Sequence, residues 1–278
     1  WLVLAVTAAA GGLYAYWSRR VAVDKSVSPL PPRAPIWAWE KWLTATVLVM
    51  LALCCLLPLA AVWLKAVSAG SSWAVLLEAQ TWAAVWNTVR FSAAAVAAAT
   101  VLGVLYAAAA RQMAWLRALM FLPFMVSPVC IAFGVLLLYP QWTASLWLLT
   151  ATYALLAYPF VAKDVLAAWD GLPKDYTAAA RTMGANGFQT ACYVTAPLLK
   201  PALRRGLTLA SATCIGEFAA TLFLSRPEWQ TLTTLIYDYL GRAGADNYGR
   251  AMVLTAVLTA LALTAFLLVD EAEGQKAV

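Results

Sequence analysis

The 278-residue chain contains no histidine, and only 12% of its residues are charged. Without histidine it cannot build a Ser-His-Asp or Cys-His nucleophile site, an HExxH zinc site or a histidine-ligated haem. It also lacks a G-x-x-x-x-G-K-[ST] loop, the backbone cradle that holds nucleotide phosphates. Its cysteines, Cys54, Cys55, Cys130, Cys192 and Cys214, are odd in number and give no disulfide framework; four lie in apolar runs and are read as small packing residues. Cys54 and Cys55 are adjacent, and neighbours on a helix point about 100° apart, which argues against a shared metal. No metal site is expected, and no basic stripe with interleaved aromatics is present to hold nucleic acid.

What the chain does have is apolar length. Hydrophobic residues make up 64% of it, far above a soluble domain, so it reads as an all-α integral membrane protein. About 20 apolar residues cross the hydrocarbon core as helix. Seven runs qualify, near residues 1–17, 43–64, 91–110, 118–139, 144–162, 206–225 and 251–269. Ten tryptophans between Trp37 and Trp229 sit at or near the ends of these runs, as an interfacial belt does.

Positive charge orients the runs, because Lys and Arg stay on the cytoplasmic side. Placing the polar 163–205 stretch inside puts 14 Lys and Arg there, among them Arg111, Arg117, Arg181, Arg204 and Arg205. Five remain outside: Lys65, Arg90, Arg226, Arg242 and Arg250. The net charge of +6 therefore reflects topology.

The first run leads from outside to inside, and a proline-rich polar stretch, SRRVAVDKSVSPLPPRAPIWAWEK, follows it. The expected organisation is a helix over 1–17 that ends an upstream half, a cytoplasmic linker over 18–42, a six-helix domain over 43–269 and a cytoplasmic tail over 270–278. A seven-helix protein without its initiating Met fits the same pattern.

Residues 172–201, LPKDYTAAARTMGANGFQTACYVTAPLLKP, form a polar insert in this apolar chain. Pro173 can open a helix, and Asp175 lies in its first turn, where a negative charge meets the positive helix end. Tyr176, Ala179, Ala180 and Met183 fall at i, i+3, i+4 and i+7 and form one apolar stripe. Gly184 is placed to end the helix in a left-handed turn. Phe188, Ala191, Cys192 and Thr195 share one face of a second helix, which Pro197 is expected to interrupt. Two short amphipathic helices joined at a glycine make a knob that fits a groove on a partner, although such hairpins also lie at membrane interfaces.

Glu217, in CIGEFAATLFL, is an ionisable group midway along a span, where it normally faces a bundle interior or a water-filled path. Two readings stand: a residue lining or gating a route, or a structural carboxyl bonded to a neighbouring helix. Gly216, Ala219 and Ala220 would allow a facing helix to approach closely. Pro123, Pro128 and Pro159 each free a backbone carbonyl, which predicts kinks or broken helices; Pro128 and Phe218 join Gly216 and Glu217 as candidate pathway residues.

In the insert, Ala179 and Ala180 precede Gly184 by a fixed interval, and Val194, Ala196 and Pro197 follow it. This spacing resembles the "EAA" loop of bacterial ABC-importer permeases, with Ala178 standing where that loop usually has glutamate. Residues 43–269 are similar to one half of a type I importer permease, particularly the thiamine and ferric-iron branch with two fused halves. The segments WNTVRFSAAAVAAATVLG, LPFMVSPVCIAFG, ALLAYPFVAKDVLAAWDGLP and IGEFAATLFLSRPEWQTLTTLIYDYLGR carry the likeness. The resemblance implies a multi-pass protein of the bacterial inner membrane that binds no cofactor itself. It also implies a cytoplasmic ABC ATPase dimer carrying ATP and Mg, a periplasmic binding protein and an upstream permease half. Transport would then proceed by alternating access, the ATPase pulling on the 173–197 helices through Tyr176, Ala179, Ala180, Met183, Gly184, Phe188 and Pro197. An ion-coupled carrier using Glu217, or a non-conducting assembly protein, remains an alternative.

Overall fold

The computed structural model describes residues 38–142 and 145–270. The expected helix over 1–17, nearly all of the linker and the tail beyond residue 270 lie outside them.

The long apolar runs form α1 (Ala38–Val67), α2 (Ala79–Gln112), α6 (Leu146–Gly171) and α12 (Ala245–Asp270), the helices long and apolar enough by themselves to cross a membrane. Between α1 and α2 a 3-10 segment, Gly70–Leu77, turns the chain. The expected span over 118–139 is not one helix. It divides into α3 (Ala114–Leu119), α4 (Leu122–Met125) and α5 (Pro128–Leu138), with a bend of 96° between the stretch 115–125 and α5. Pro123 and Pro128 sit at the starts of the short helices, where a missing N–H is harmless. The proline effect therefore goes beyond a packing kink: it re-aims the chain.

The polar insert holds α7 (Lys174–Thr182) and α8 (Gly187–Thr190), followed by a π-helical turn, Ala191–Thr195. Two expectations are corrected here. Pro173 lies just outside α7 as its cap residue, and Pro197 does not interrupt the second helix. The wide turn, closed by the Ala196 N–H on the Ala191 carbonyl, absorbs the proline, and α9 (Ala196–Ile215) runs on from it with Pro201 inside. The insert therefore ends near residue 195, and residues 196–201 belong to α9. The expected span over 206–225 splits into α9 and α10 (Ala219–Leu224) on either side of a break at 216–218. The segment α11 (Leu232–Gly241) leads to α12.

The core is built from small residues. Ala95, Ala99 and Ala107 of α2, Ala154, Ala157, Val161 and Ala162 of α6, and Ala210 of α9 are all fully buried. Small side chains let backbones approach where lipid gives no hydrophobic drive for association. A second cluster joins Leu232, Leu235 and Tyr239 of α11 to Val253 and Leu254 of α12 and Val75 of the 3-10 segment. In α1 the membrane-length window is not buried by the other described residues; the helix reaches the second cluster through Ala66, near its end.

Side-chain bonds tie the helix ends. At one end Arg250 Nη1 lies 2.6 Å from Glu78 Oε1 and its Nε 2.9 Å from Asp246 Oδ2, while Ser72 and Tyr239 donate to Asp246 and Glu78. At the other, Arg117 Nη1 lies 2.7 Å from Asp170 Oδ2, joining α3 to the last turn of α6 just before the insert. Among the cysteines Cys214 follows the packing expectation, buried in the core, while Cys54, Cys55, Cys130 and Cys192 are exposed and do not. Trp39, Trp42, Trp63, Trp82, Trp86 and Trp142 are exposed near helix ends, in keeping with an interfacial belt.

Candidate functional site

The first candidate is the turn between α7 and α8. Gly184 adopts φ 86°, the left-handed conformation anticipated for it. Its N–H donates to the Arg181 carbonyl at 3.0 Å and the Ala185 N–H to the Ala180 carbonyl at 3.1 Å. These two bonds close α7 in a Schellman motif, satisfying carbonyls the helix would otherwise leave open. Two residues later Asn186 accepts from the Gln189 N–H at 2.8 Å, and Gln189 Oε1 accepts from the Asn186 N–H at 2.9 Å. This reciprocal capping box starts α8 with no slack between the helices. The Asn186-x-x-Gln189 spacing carried that signal in the sequence, and it went unread there.

The turn presents apolar side chains outward. Met183 is 81% exposed, Phe188 78% and Tyr193 79%, with Tyr176 and Ala179 also open. Ala180 departs from the expected stripe, because it is buried. Ala180, Met183, Gly184, Gln189, Tyr193 and Val194 line a shallow hollow of about 420 Å³. Pro197, at the second position of α9, is exposed beside it. Such a surface costs free energy in water and is expected to be covered.

The second candidate is the meeting of the two broken segments. Short α10 packs on α5, with the rings of Phe133 and Phe223 6.0 Å apart. Glu217, only 8% exposed, sits in the break before α10. Its carboxylate accepts the Ala220 N–H at 3.1 Å, and its own carbonyl accepts from Tyr153 Oη of α6 at 3.3 Å and Thr233 Oγ1 of α11 at 3.1 Å. Tyr153 also pairs with the Thr221 hydroxyl. Nothing in the sequence brought Tyr153, Thr221 or Thr233 to this place, because their partners are 16 to 68 residues distant.

The other residues expected with Glu217 spread around it. Phe218 is half-buried, its ring 5.2 Å from that of Tyr237. Gly216 and Pro128 are exposed. Gly216 is not a close-approach site, since a Cβ there would meet only carbonyls of its own helix at 3.5 Å or more. That role belongs to Gly103 and Gly206.

A cleft of about 710 Å³ opens between α2, α9 and α12. Its walls are apolar apart from hydroxyls, and they include no ionisable side chain. Among the described residues no three His, Cys, Asp or Glu side chains converge as metal ligands would.

Comparison with known proteins gives one consistent answer. Residues 99–270 match the family described as "Binding-protein-dependent transport system inner membrane component". A Salmonella typhimurium permease protein assigned to 2-aminoethylphosphonate transport is 27% identical over 196 residues, covering 67% of this chain and 73% of that protein. The sulfate transport system permease protein of Escherichia coli is 32% identical over 164 residues, or 53% of this chain and 58% of that one. Among solved structures, a bacterial ABC transporter that imports the acidic polysaccharide alginate aligns with TM-score 0.68 at 17% identity, over 86% of this chain and 96% of that chain.

Proposed function

Because the chain belongs to the family of binding-protein-dependent transport system inner membrane components, we propose that it works as one half of an ATP-driven importer of the bacterial inner membrane. At the coarser level it is a multi-pass membrane permease subunit, not an enzyme. The finer reading has three parts: who drives it, what completes it and what it carries.

An ABC ATPase dimer, holding ATP and Mg, is the driver we infer. The observation that carries this is the rigid, apolar turn at Gly184, with Met183, Phe188 and Tyr193 turned outward beside a shallow hollow. A knob locked by a Schellman turn and a capping box transmits displacement to α9 without bending, because few backbone torsions are free to absorb it. The missing loop glutamate, replaced by Ala178, leaves apolar contact as the main grip on the ATPase.

A second permease half, in the same chain or as a separate subunit, completes the route. A periplasmic binding protein delivers solute at the end that holds the 3-10 segment, α11 and the 225–231 loop. That loop is braced on α2, where Asn87 Nδ2 donates to the Glu228 and Gln230 carbonyls at 3.1 and 2.9 Å. The broken segments around Pro128 and residues 216–218 border the route, since irregular backbone at membrane depth needs a protein interior or a wet cavity.

For the solute, the resemblance in the sequence favours thiamine or ferric iron, whereas the relatives are named for 2-aminoethylphosphonate, sulfate and molybdenum. Small oxyanions are therefore the first class to test. The experiment is uptake into proteoliposomes holding the permease with its ATPase, with binding protein outside and ATP inside. Molybdate, sulfate, 2-aminoethylphosphonate, thiamine and ferric iron are offered in turn. ATP-dependent uptake of one of them supports the importer reading. Uptake that follows a proton gradient without ATP would replace it with the carrier.

A further inference from the structure

We propose that Glu217 is a positioning residue: its carboxylate caps the start of α10 and holds the α9–α10 break in one shape, so that α10 keeps its seat on α5. The inference rests on the importer reading only for its transport consequence; the structural part stands by itself.

The break interrupts the i to i−4 ladder, and the amides that open α10 have no helical partners. In a membrane-buried segment each orphan costs several kcal/mol, unlike one facing water. Phe218 occupies the position where a serine, threonine, aspartate or asparagine would normally cap, and it has no acceptor side chain. Glu217 supplies the missing acceptor from one residue further back, reaching over to Ala220. Its backbone carbonyl, freed by the same break, accepts from Tyr153 and Thr233 on two other helices. A buried carboxylate held this way has a structural reason to sit at this depth without meeting solute.

The consequence is geometric. α10 carries Phe223 against Phe133 of α5, and α5 itself leaves its span at 96°. Each broken segment is the support of the other. Loosening the start of α10 would release both while leaving the α2–α6–α9 core intact.

Two substitutions separate the roles. Glu217→Gln keeps an acceptor oxygen and shape but cannot ionise; Glu217→Ala removes the acceptor. The first measurement is amide hydrogen exchange over residues 216–224 in the purified protein in nanodiscs, which needs no solute or ATPase. The cap predicts wild-type protection in Glu217→Gln and exchange about tenfold faster in Glu217→Ala, with α2 and α6 unchanged. The second is solute moved per ATP hydrolysed in proteoliposomes, expected to be near normal in Glu217→Gln and to fall several-fold in Glu217→Ala. Should Glu217→Ala fail to fold, Glu217→Met, which fills the space without an oxygen acceptor, takes its place and is expected to raise exchange in the same segment. Unchanged protection in Glu217→Ala overturns the proposal, as does lost transport in Glu217→Gln at normal protection, which would assign the charge itself a role in the route. Failure of the wild type to import any solute would count against the importer reading and leave the exchange result standing.

Discussion

Gly206 of α9 lies against the backbone of Val161 of α6: a Cβ at position 206 would sit 2.7 Å from Val161 Cα and 3.3 Å from the Phe160 carbonyl oxygen. Gly103 of α2 meets the same residue through its side chain, at 2.7 Å from Cβ and 2.8 Å from Cγ1. Val161 is thus a point of close approach for three helices. Gly206→Ala must push α9 away from a backbone that cannot yield, at ~1–3 kcal/mol. Gly103→Ala meets Val161 Cβ and Cγ1 and, at 3.1 Å, the Ala162 backbone nitrogen. Thermal unfolding in detergent is expected to show both losses, and Val161→Ala, which removes Cγ1 but keeps Cβ, is expected to restore neither.

The Gly184 turn is strained for any other residue even though the space around it is open. A left-handed backbone costs an L-residue ~1–2 kcal/mol, and a β-branched side chain suffers most. Gly184→Val is expected to reach the membrane in normal amount yet lose ATP-coupled uptake, while Gly184→Asn keeps most of it. Normal uptake by Gly184→Val would remove the turn from the coupling path.

The Arg250–Glu78–Asp246 group ties α12 to the start of α2 and, through Ser72, to the 3-10 segment. It lies partly in solvent, so Arg250→Gln is expected to lower stability only slightly. The wild type is expected to lose stability as salt rises from low to high, and the variant to lose less. Equal salt dependence in the two would mean that the group is not a working tie.

Topology is open to direct labelling. In a background where the five native cysteines are serine, Met183→Cys and Ala243→Cys are expected to react with a membrane-impermeant reagent from opposite sides, Met183→Cys from the cytoplasm. Same-side labelling would dismantle the orientation drawn from the positive charges.

The sequence made the long spans plain because each is a run of apolar residues that depends on nothing beyond itself. The glycine turn was legible for the same reason, its signal being local. The broken elements were not. A proline in an apolar stretch reads equally as a kink in one helix or a boundary between two, and the outcome goes with long-range packing, of α5 on α10 after Pro128 and of α4 on α6 after Pro123. The opposite error occurred at Pro197, where a local breaker was overruled by a change of helix type. Glu217 stood out as an oddity, but its acceptor role needed the break at 216–218, which no periodicity announced. Gly103 and Gly206 looked like ordinary span glycines until α6 was laid between them.

The π turn at Ala191–Thr195 has an angular consequence. Thr190 and Thr195 are both buried, as are Leu199, Ala202 and Gly206 after them. Residues five apart on an ordinary α-helix point about 140° away from each other, so a regular helix would bury one threonine and expose the other. The extra residue in the wide turn restores their phase, aligning the inward side of α8 with that of α9. Deleting one residue from this turn would keep every side chain except one and yet rotate the Phe188 face by roughly a quarter turn against the bundle.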